Sequence, residues 1–433
     1  MVDRLLAEAM ASQLAGELAQ AAALYHRVLE LIPDHSEALH RLGLLAQQQG
    51  LAARALELVE RAVAAEPRAA RYRLSLATVL HAAGDRARAA ASCRQALELD
   101  PGLAPAELEL GMLASAAGDL GLAEASYRRA AELAPTLREA HGNLGAVLER
   151  KGALAEAIAA YRRALELDPH YRKALANLAN ACYRYHAWDE ALAAYRRLLA
   201  LDPSSGLGRH MVAALTGASP PDCPPDYVAG LFDGCADSFE ACLVDELGYA
   251  TPRALSGLLD ATVGPEHRFD YGIDLGCGTG LAGRALRGRC RWLVGVDLSA
   301  NMVAQAARAG VYDELHVAEH VALLATAPPG WDLVLAADVL PYTGDLDPCF
   351  AAVARGAAPG ARFAFSTEAS EADDYCLRRS GRFAHHPSYV ARVGARHGLE
   401  LEASERRTLR LEGGAPVLGD VFIVKVAGTC RRL

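Results

Sequence analysis

Three glycines at alternate positions behind an apolar run mark the part of this sequence best suited to hold a ligand. Asp274 lies near the end of the run 269–275, and the glycines that follow are Gly276, Gly278 and Gly280. This order predicts a buried strand, a tight turn and a helix N-terminus, where backbone amides can point at a ligand. Glycine is needed where a Cβ would clash with a closely held ligand or where φ is positive.

Two classes of ligand use such a turn. The spacing Gly278-x-Gly280-x-x-Gly283 also satisfies the dinucleotide-binding pattern, so the glycines alone decide little. Asp274 would place a carboxylate near the pyrophosphate of a dinucleotide, and like charges repel. The same carboxylate suits a ligand that carries an ammonium and a sulfonium. The motif therefore favours a cationic ligand over a nicotinamide or flavin dinucleotide.

The order Asp-x-Gly-x-Gly-x-Gly resembles the first motif of class I S-adenosylmethionine (SAM) methyltransferases. The resemblance implies that the protein is an enzyme that uses SAM as methyl donor and releases S-adenosylhomocysteine. It also implies that the glycine turn and the ends of the next three strands hold the donor. These expected cofactor residues are Asp274, Gly276, Cys277, Gly278, Gly280, Leu281, Asp297, Leu298, Met302, Glu319, His320, Ala337 and Asp338.

Asp297 is the most informative of these residues after the glycines. It ends the second apolar strand, 21 residues beyond Gly276, which is the separation expected for a carboxylate that accepts both ribose hydroxyls. The alternative interpretation is that Asp297 caps the helix that begins near Ser299. In the family, an acidic residue at the position of Glu319 lies near the adenine amino group. Asp338 would border the methionine part of the donor.

The expected catalytic residues follow the fifth strand, apart from Asp338. His385 is the first choice for a general base and His386 the second, because imidazole titrates near working pH. Asp338 and Tyr375 would orient the acceptor. A histidine in a loop is also often a packing residue, and an acceptor that arrives already ionised needs no base. The run 380–385, Ser-Gly-Arg-Phe-Ala-His, resembles Ser-Gly-Arg-Tyr-Ala-His of predicted bacterial methyltransferases that carry tetratricopeptide repeats.

The elements around these residues predict the fold of the second half of the chain. Strands and helices alternate after the glycine turn, which indicates a parallel sheet with helical crossovers. We therefore expect a Rossmann-like, seven-stranded class I methyltransferase domain over residues 226–433. Amphipathic helices over 226–259 would form a lid ahead of the glycine turn.

The first half of the chain is a repeat array. Prolines recur at an interval of 34 residues, at Pro33, Pro67, Pro101, Pro135, Pro169 and Pro203, and glycines and alanines keep the same phase. The pattern resembles about six tetratricopeptide (TPR) repeats over residues 2–205, which implies an all-α superhelix. Residues 206–225 would supply a capping helix and a proline-rich linker, with the domain boundary near residue 220. The chain is thus predicted to be multidomain.

TPR arrays bind peptides or proteins in a groove lined by the first helix of each repeat. The polar residues expected in this groove include His40, Arg71, His81 and Arg184. We therefore expect a protein or peptide partner in the groove, together with a small-molecule or carrier-bound methyl acceptor. The sequence is compatible with an oligomer and does not identify one.

Composition restricts the remaining classes of function. The 433-residue chain has a net charge of −9, which argues against a broad nucleic-acid footprint. Its ten cysteines form no C-x-x-C pair, so neither a metal ribbon nor a disulfide framework is indicated. The N-terminus lacks the pattern of a signal peptide, and no long uncharged apolar run indicates a membrane span. A soluble cytoplasmic protein is the expectation.

Three functions fit the sequence. The first is a SAM-dependent methyltransferase that modifies oxygen or nitrogen of a small or carrier-bound molecule, with the array recruiting a carrier or partner. The second is a protein or peptide methyltransferase whose groove binds the substrate polypeptide. The third is a non-catalytic interaction protein in which the second domain only senses the cofactor.

Overall fold

The structure is a computed structural model that describes residues 1–234, 236, 239–240, 243, 248–412 and 414–427. The chain divides into two compact units, residues 1–194 and 195–433. In the part of the chain that is described, no helix is both long and apolar enough to cross a membrane.

The first unit is built of paired helices. The helices are α1 (Val2–Leu14), α2 (Leu18–Leu31), α3 (Ser36–Gln48), α4 (Ala52–Ala65), α5 (Ala70–Ala82), α6 (Arg86–Leu99), α7 (Ala104–Ala116), α8 (Leu120–Leu133), α9 (Arg138–Arg150), α10 (Leu154–Leu167), α11 (Arg172–Arg184) and α12 (Trp188–Leu201). The boundary between the two units falls within α12. Six pairs of 13- and 14-residue helices confirm the prediction of about six repeats.

Small residues and glycines explain why the repeats pack as they do. The phased alanines are fully buried where paired helices cross: Ala21, Ala55, Ala89, Ala123, Ala157 and Ala191. The phased glycines have φ between +74° and +85°, at Gly16, Gly50, Gly84, Gly118 and Gly152. A side chain at such a φ is strained, so glycine ends the first helix of each pair at little cost.

The polar residues expected in the groove bond between successive repeats. Nε2 of His40 lies 2.8 Å from Oγ of Ser75, one repeat further along the chain. Arg184 donates to Glu149 over 2.8 Å in the same way. These side chains therefore help to join the repeats, and their hydrogen bonds are partly committed before any peptide binds.

Helix α13 (Gly206–Thr216) belongs to the second unit, whereas the sequence interpretation placed it at the end of the array. The reason is His210, which is 1 % exposed. Its Nε2–H donates to the carbonyl oxygen of Gly381 over 2.8 Å, and its ring stacks on Tyr227 with centroids 4.5 Å apart. These contacts join α13 to the sheet domain, so the compact units divide ahead of the proline-rich segment.

The second unit is a mixed sheet with helices against it. Its strands are β1 (Phe269–Leu275), β2 (Cys290–Asp297), β3 (Glu314–Val317), β4 (Trp331–Ala336), β5 (Ala357–Ala369), β6 (Tyr375–Leu377), β7 (Phe383–His385), β8 (Leu399–Glu412) and β9 (Ala415–Val426). Its further helices are α14 (Pro225–Asp233), α15 (Thr251–Val263), α16 (Leu281–Leu286), α17 (Ala300–Ala309), α18 (His320–Thr326), α19 (Asp347–Gly356) and α20 (Pro387–Arg396). Fully buried Trp331, Phe363 and Phe365 lie in the core of this unit.

The strand order confirms the predicted fold and adds one hairpin to it. Strands β3, β2, β1, β4 and β5 are parallel neighbours, and β9 joins antiparallel between β5 and β8. These seven strands form the expected sheet. The described sheet has nine strands because β6 and β7 form a hairpin that pairs with the end of β5, at Glu368 and Ala369. The sequence analysis expected Tyr375, His385 and His386 of this region to be catalytic and predicted no strands there.

Helices α14 and α15 occupy the region in which a lid was predicted. Residues 235, 237–238, 241–242 and 244–247 of the predicted lid lie outside the described residues. Asp233 at the end of α14 connects this region to the start of α17, because its Oδ1 accepts a hydrogen bond from Oγ of Ser299 over 2.5 Å.

Candidate functional site

The carboxyl ends of β1, β2 and β4 open onto a cavity of about 420 Å³. In a doubly wound sheet this edge is where ligands bind. Five carboxylate side chains line the cavity: Asp222, Asp297, Glu319, Asp338 and Asp345. His320 is the one lining residue, among those the structure describes, that can carry a positive charge. The cavity therefore favours a cationic ligand.

The glycine turn has the backbone conformation that the sequence predicted. The φ values are +60° at Gly276, +53° at Gly278 and +97° at Gly280. A Cβ at Gly276 would approach Cγ2 of Val339 to 2.5 Å, so the close approach of the loop after β4 also demands glycine. Gly276 and Gly278 line cavities, whereas Gly280 turns the chain into α16.

Asp297 holds the turn in place from the end of β2. Its Oδ2 accepts a hydrogen bond from the amide of Gly278 over 2.9 Å, and its Oδ1 accepts one from the amide of Ser299 over 2.9 Å. Each carboxylate oxygen has a second lone pair, so both can accept a further bond from a ligand. Ser299, and not Asp297, caps α17 by accepting from the amide of Met302. The capping alternative for Asp297 is therefore wrong.

The other two residues predicted beside Asp297 have different positions. Leu298 lines the large cavity. Met302 is fully buried within α17 and lines neither the large cavity nor its smaller neighbour. Of the two residues, Leu298 therefore reaches a cavity and Met302 does not.

Glu319 and His320 line the large cavity, but the Glu319 carboxylate is already engaged. Its oxygens accept from the amides of Val321 and Ala322 at the start of α18, over 3.0 and 2.7 Å. Nδ1 of His320 lies 2.9 Å from the same carboxylate. Burial raises the pKa of Glu319, but these donors lower it to about 2 overall. The Glu319 carboxylate therefore remains charged and forms part of the cavity wall.

Asp338 has an unusual backbone conformation at the end of β4. Its φ is +62°, and it is one of two non-glycine residues with positive φ in the described chain. Its amide donates to Oγ of Ser366 over 2.9 Å, and its Oδ2 accepts from Arg410 over 3.0 Å. Within the described residues, its buried Oδ1 has no hydrogen-bond partner. Strain of this kind is concentrated at functional sites.

A smaller cavity of about 110 Å³ adjoins the large one. The residues that line both are Phe232, Gly276, Asp297, Asp338 and Tyr342. Further residues of the small cavity include Cys277, Leu281 and Ala337, as the sequence predicted, and also Tyr249, Arg382 and Arg410. The two cavities thus meet at the ends of β1, β2 and β4.

The position of Asp274 corrects the sequence analysis, which listed it among the expected cofactor residues. It is fully buried and lines neither cavity, and its Oδ2 accepts a hydrogen bond from the hydroxyl of Tyr312 over 2.7 Å. Burial raises the pKa of Asp274 to about 7 in spite of that bond. Asp274 therefore lies beneath the glycine turn, away from both cavities.

His385 is not placed to act as a general base. It is fully buried, its Nε2–H donates to the carbonyl oxygen of Gly344 over 3.0 Å, and it lines neither cavity. Burial lowers the pKa of His385 to about 4. Its ring stacks on Tyr389, with centroids 6.0 Å apart. The packing alternative is the one that the geometry favours.

His386 and Tyr375 also lie away from both cavities. His386 caps α20, because its Nδ1 accepts from the amide of Ser388. Tyr375 packs against Phe383 and Tyr389 in the β6–β7 hairpin. Of the four residues predicted to be catalytic, Asp338 alone lines the cavities.

Arg410 was missed by the sequence analysis. It lies in β8 between Leu409 and Leu411 and is only 2 % exposed. Alternation along β8 places Arg410 on the face opposite Leu409 and Leu411, and an irregularity in the pairing between Thr408 and Arg410 lets Leu409 and Arg410 both be buried, so the sequence carried no signal for this residue. Asp222 and Asp345 were missed as well, since both lie in irregular segments that carry no motif.

The geometry and the sequence comparisons agree on the class of protein. The glycine turn after β1, the cavity at the carboxyl edge and the antiparallel β9 between β5 and β8 agree with the expected class I methyltransferase fold, here preceded by a helical repeat array. Residues 273–363 match a family model described as methyltransferase domain. Models described as tetratricopeptide repeat match residues 40–104, 108–137, 139–171 and 156–206.

The chain therefore joins tetratricopeptide repeats to a methyltransferase domain, which is the architecture of a TPR-containing class I methyltransferase. No curated protein matches the chain in sequence. Among solved structures it is similar to PilF of Pseudomonas aeruginosa, at 17 % identity and a TM-score of 0.46, over 49 % of this chain and 96 % of that one. It is also similar to a thermophilic TPR protein of Thermus thermophilus, at 26 % identity and a TM-score of 0.36, over 42 % and 98 %.

Proposed function

We propose that the protein transfers a methyl group from SAM to a small or carrier-bound acceptor. The observation that carries this proposal is the acidic lining of the large cavity at the carboxyl edge of the sheet, where five carboxyl side chains outnumber one histidine. A sulfonium and an ammonium are attracted to such a cavity. The pyrophosphate of a dinucleotide is repelled, since like charges in a partly buried site are poorly screened.

The residues present fit this donor. Asp297 has acceptor capacity for ribose hydroxyls, and Leu298 offers an apolar surface in the same cavity. Asp338 presents a buried oxygen without a hydrogen-bond partner among the described residues, which suits the donor's ammonium. When bound, SAM supplies a methyl carbon that its sulfonium already activates.

The protein's own contribution is then mainly alignment and exclusion of water. The Gly276–Gly280 turn lets the backbone approach closely, and Asp297 fixes that turn through the amide of Gly278. Phe232 and Tyr342 contact each other edge to face, 5.3 Å between centroids, and line both cavities where these meet. They form an apolar wall at the junction.

The array supports protein–protein interaction, and we propose that it recruits the carrier or a partner that delivers the acceptor. The second candidate is that the array binds a polypeptide which is itself methylated. The two differ in the product, because the label from a tritiated methyl donor would appear in small molecules in the first case and in protein in the second.

The decisive experiment is a calorimetric titration of the full chain with SAM, S-adenosylhomocysteine, NAD and FAD. Binding of the first two compounds without the dinucleotides is expected. Tight binding of NAD or FAD without SAM would refute the proposal. Incubation with tritiated SAM and fractionated lysate then separates the two acceptor classes, and SAM binding with no turnover on any fraction would favour the non-catalytic function.

A further inference from the structure

We infer that Arg382 binds the carboxylate at the methionine end of the methyl donor, in the small cavity. The inference rests on the proposed methyl transfer and deepens it, because it names the residue that recognises the amino-acid part of SAM. Arg382 immediately precedes β7. It therefore belongs to the β6–β7 hairpin, outside the seven strands of the expected sheet.

The small cavity is placed for the amino-acid end of the donor. Residues 276–278 of the glycine turn line it together with Ala337, and all of these are expected donor residues. Glu319, expected near the adenine, and Leu298 line only the large cavity. With volumes of about 420 and 110 Å³, the large cavity suits the nucleoside and the small one suits the short chain beyond the sulfur.

The charges that line the small cavity match those of an amino acid. An α-amino acid carries an ammonium and a carboxylate on one carbon, and a buried site has to pair each charge with one of opposite sign. Asp297 and Asp338 line the cavity, and so do Arg382 and Arg410. Oδ2 of Asp338 accepts from Arg410 over 3.0 Å, so acid and base lie side by side. The aspartates suit the ammonium and the sulfonium, which leaves the carboxylate to an arginine.

Of the two arginines, Arg382 has the spare hydrogen-bonding capacity. Arg410 is 2 % exposed, and its guanidinium already bonds to two carboxylates of the protein. Among the described residues, Arg382 bonds from Nε to the hydroxyl of Tyr342 over 3.4 Å, and from Nη1 to Glu412 over 2.9 Å. These bonds use two of its five N–H groups, so the planar fork can still donate to a ligand carboxylate.

The backbone on both sides of Arg382 is fixed. The carbonyl oxygen of Gly381 accepts from Nε2–H of His210 over 2.8 Å, and Phe383 is fully buried. The countercharge lies outside the cavity: Glu412 does not line it, and its side chain is 53 % exposed, so water screens its attraction for Arg382. A guanidinium that is held in place and has a screened partner is suited to a carboxylate inside the cavity.

The test is calorimetry of the full chain with three compounds that share the nucleoside. S-adenosylhomocysteine has both charges of the amino acid, S-adenosyl-3-thiopropylamine lacks the carboxylate, and 5′-methylthioadenosine lacks the whole amino-acid end. We expect the wild type to bind S-adenosylhomocysteine at least about tenfold more tightly than the thiopropylamine, because the second compound cannot accept the charge-assisted hydrogen bonds. Equal affinities for these two compounds would overturn the inference.

Variants assign the preference to Arg382. Arg382→Gln should bind S-adenosylhomocysteine at least about tenfold more weakly than the wild type and keep its affinity for the other two compounds. Arg382→Lys should recover part of the loss, because the charge remains while the fork is lost. Arg378→Gln is the matched control: Arg378 pairs with Glu368 over 3.5 Å but does not line the small cavity, so this variant should bind all three compounds like the wild type.

The three affinities also separate a failure of the inference from a failure of the proposed function. An Arg382→Gln variant that still prefers S-adenosylhomocysteine, or that loses affinity for all three compounds equally, would refute the role of Arg382. Equal binding of methylthioadenosine and S-adenosylhomocysteine by the wild type would refute that role and keep the proposed donor. A wild type that binds none of the three would refute the proposed function, and the inference with it.

Discussion

The hydroxyl of Tyr312 donates a hydrogen bond to Oδ2 of Asp274 over 2.7 Å, beneath the glycine turn. A Cβ at Gly283 would overlap that hydroxyl, and a Cβ at Gly295 would approach the Tyr312 ring to 3.0 Å. Gly283, which completed the dinucleotide-like spacing in the sequence, is therefore glycine because Tyr312 needs the space. Because Asp274 is engaged there, we propose that the acidic lining of the large cavity, and not Asp274, selects a cationic ligand.

Asp274 should make stability depend on pH. Burial raises the pKa of Asp274 to about 7 in the folded state, against about 3.9 in an unfolded chain. Folding thus favours the protonated acid, so the stabilisation is complete below pH ~4 and is lost as pH rises towards 7, by up to about 1.4 kcal/mol per unit. We expect Asp274→Asn to gain stability relative to wild type between pH 4 and 7.

Urea unfolding of both proteins at several pH values measures this difference. Tyr312→Phe is the companion variant, because it removes the bond that holds the pKa of Asp274 down and should extend the loss of stability above pH 7. A constant difference between wild type and Asp274→Asn across this range would contradict the assignment.

The sequence predicted those features that depend on local residue types. Glycine and proline phases dictate helix ends, so Gly16 and Pro33 recur at positions that define the repeats. The strand–turn–helix at Gly276 is likewise set by its own residues. The positions of Asp274, His385 and Arg410 depend on partners far away in sequence: Tyr312 lies 38 residues from Asp274, and Asp338 lies 72 residues from Arg410. The residue pattern of a strand that is buried on both faces does not show which face lines a cavity.

Asp297→Ala should weaken SAM binding by about 1–3 kcal/mol, the usual cost of losing hydrogen bonds to a charged group. Two effects contribute, because Asp297 has acceptor capacity for the ribose and also holds the amide of Gly278. Calorimetry measures the loss. Ser299→Ala is the control, since it removes the cap of α17 without removing a cavity residue and should lower stability while SAM affinity is kept. Unchanged affinity in Asp297→Ala would exclude the ribose contact.

His385→Gln should change the pH dependence of the free energy of unfolding and leave the pH profile of turnover unchanged. Burial lowers the pKa of His385 to about 4, against about 6.5 in an unfolded chain. The neutral ring thus stabilises the fold above pH 6.5, and this contribution is lost as pH falls towards 4. We expect the stability advantage of wild type over His385→Gln to shrink between pH 7 and 5. A missing limb in the pH–rate profile of the variant would instead make His385 a base.

His186 offers a test of the array by itself. It occupies the phase in which Gly16, Gly50, Gly84, Gly118 and Gly152 end their helices, and its φ is +59°. We expect His186→Gly to stabilise the last repeats, because relief of about 1 kcal/mol of left-handed strain exceeds the roughly 0.5 kcal/mol of added chain entropy. The lost ring contact with Trp188, 5.0 Å between centroids, reduces this gain.

Hydrogen exchange of the amides in α11 and α12 measures the change separately from the sheet domain. His186→Ala loses the ring but keeps the strained φ, so its amides in α11 and α12 should exchange faster than those of both wild type and His186→Gly. Slower exchange in the alanine variant than in the glycine variant would show that the positive φ at this position costs no stability.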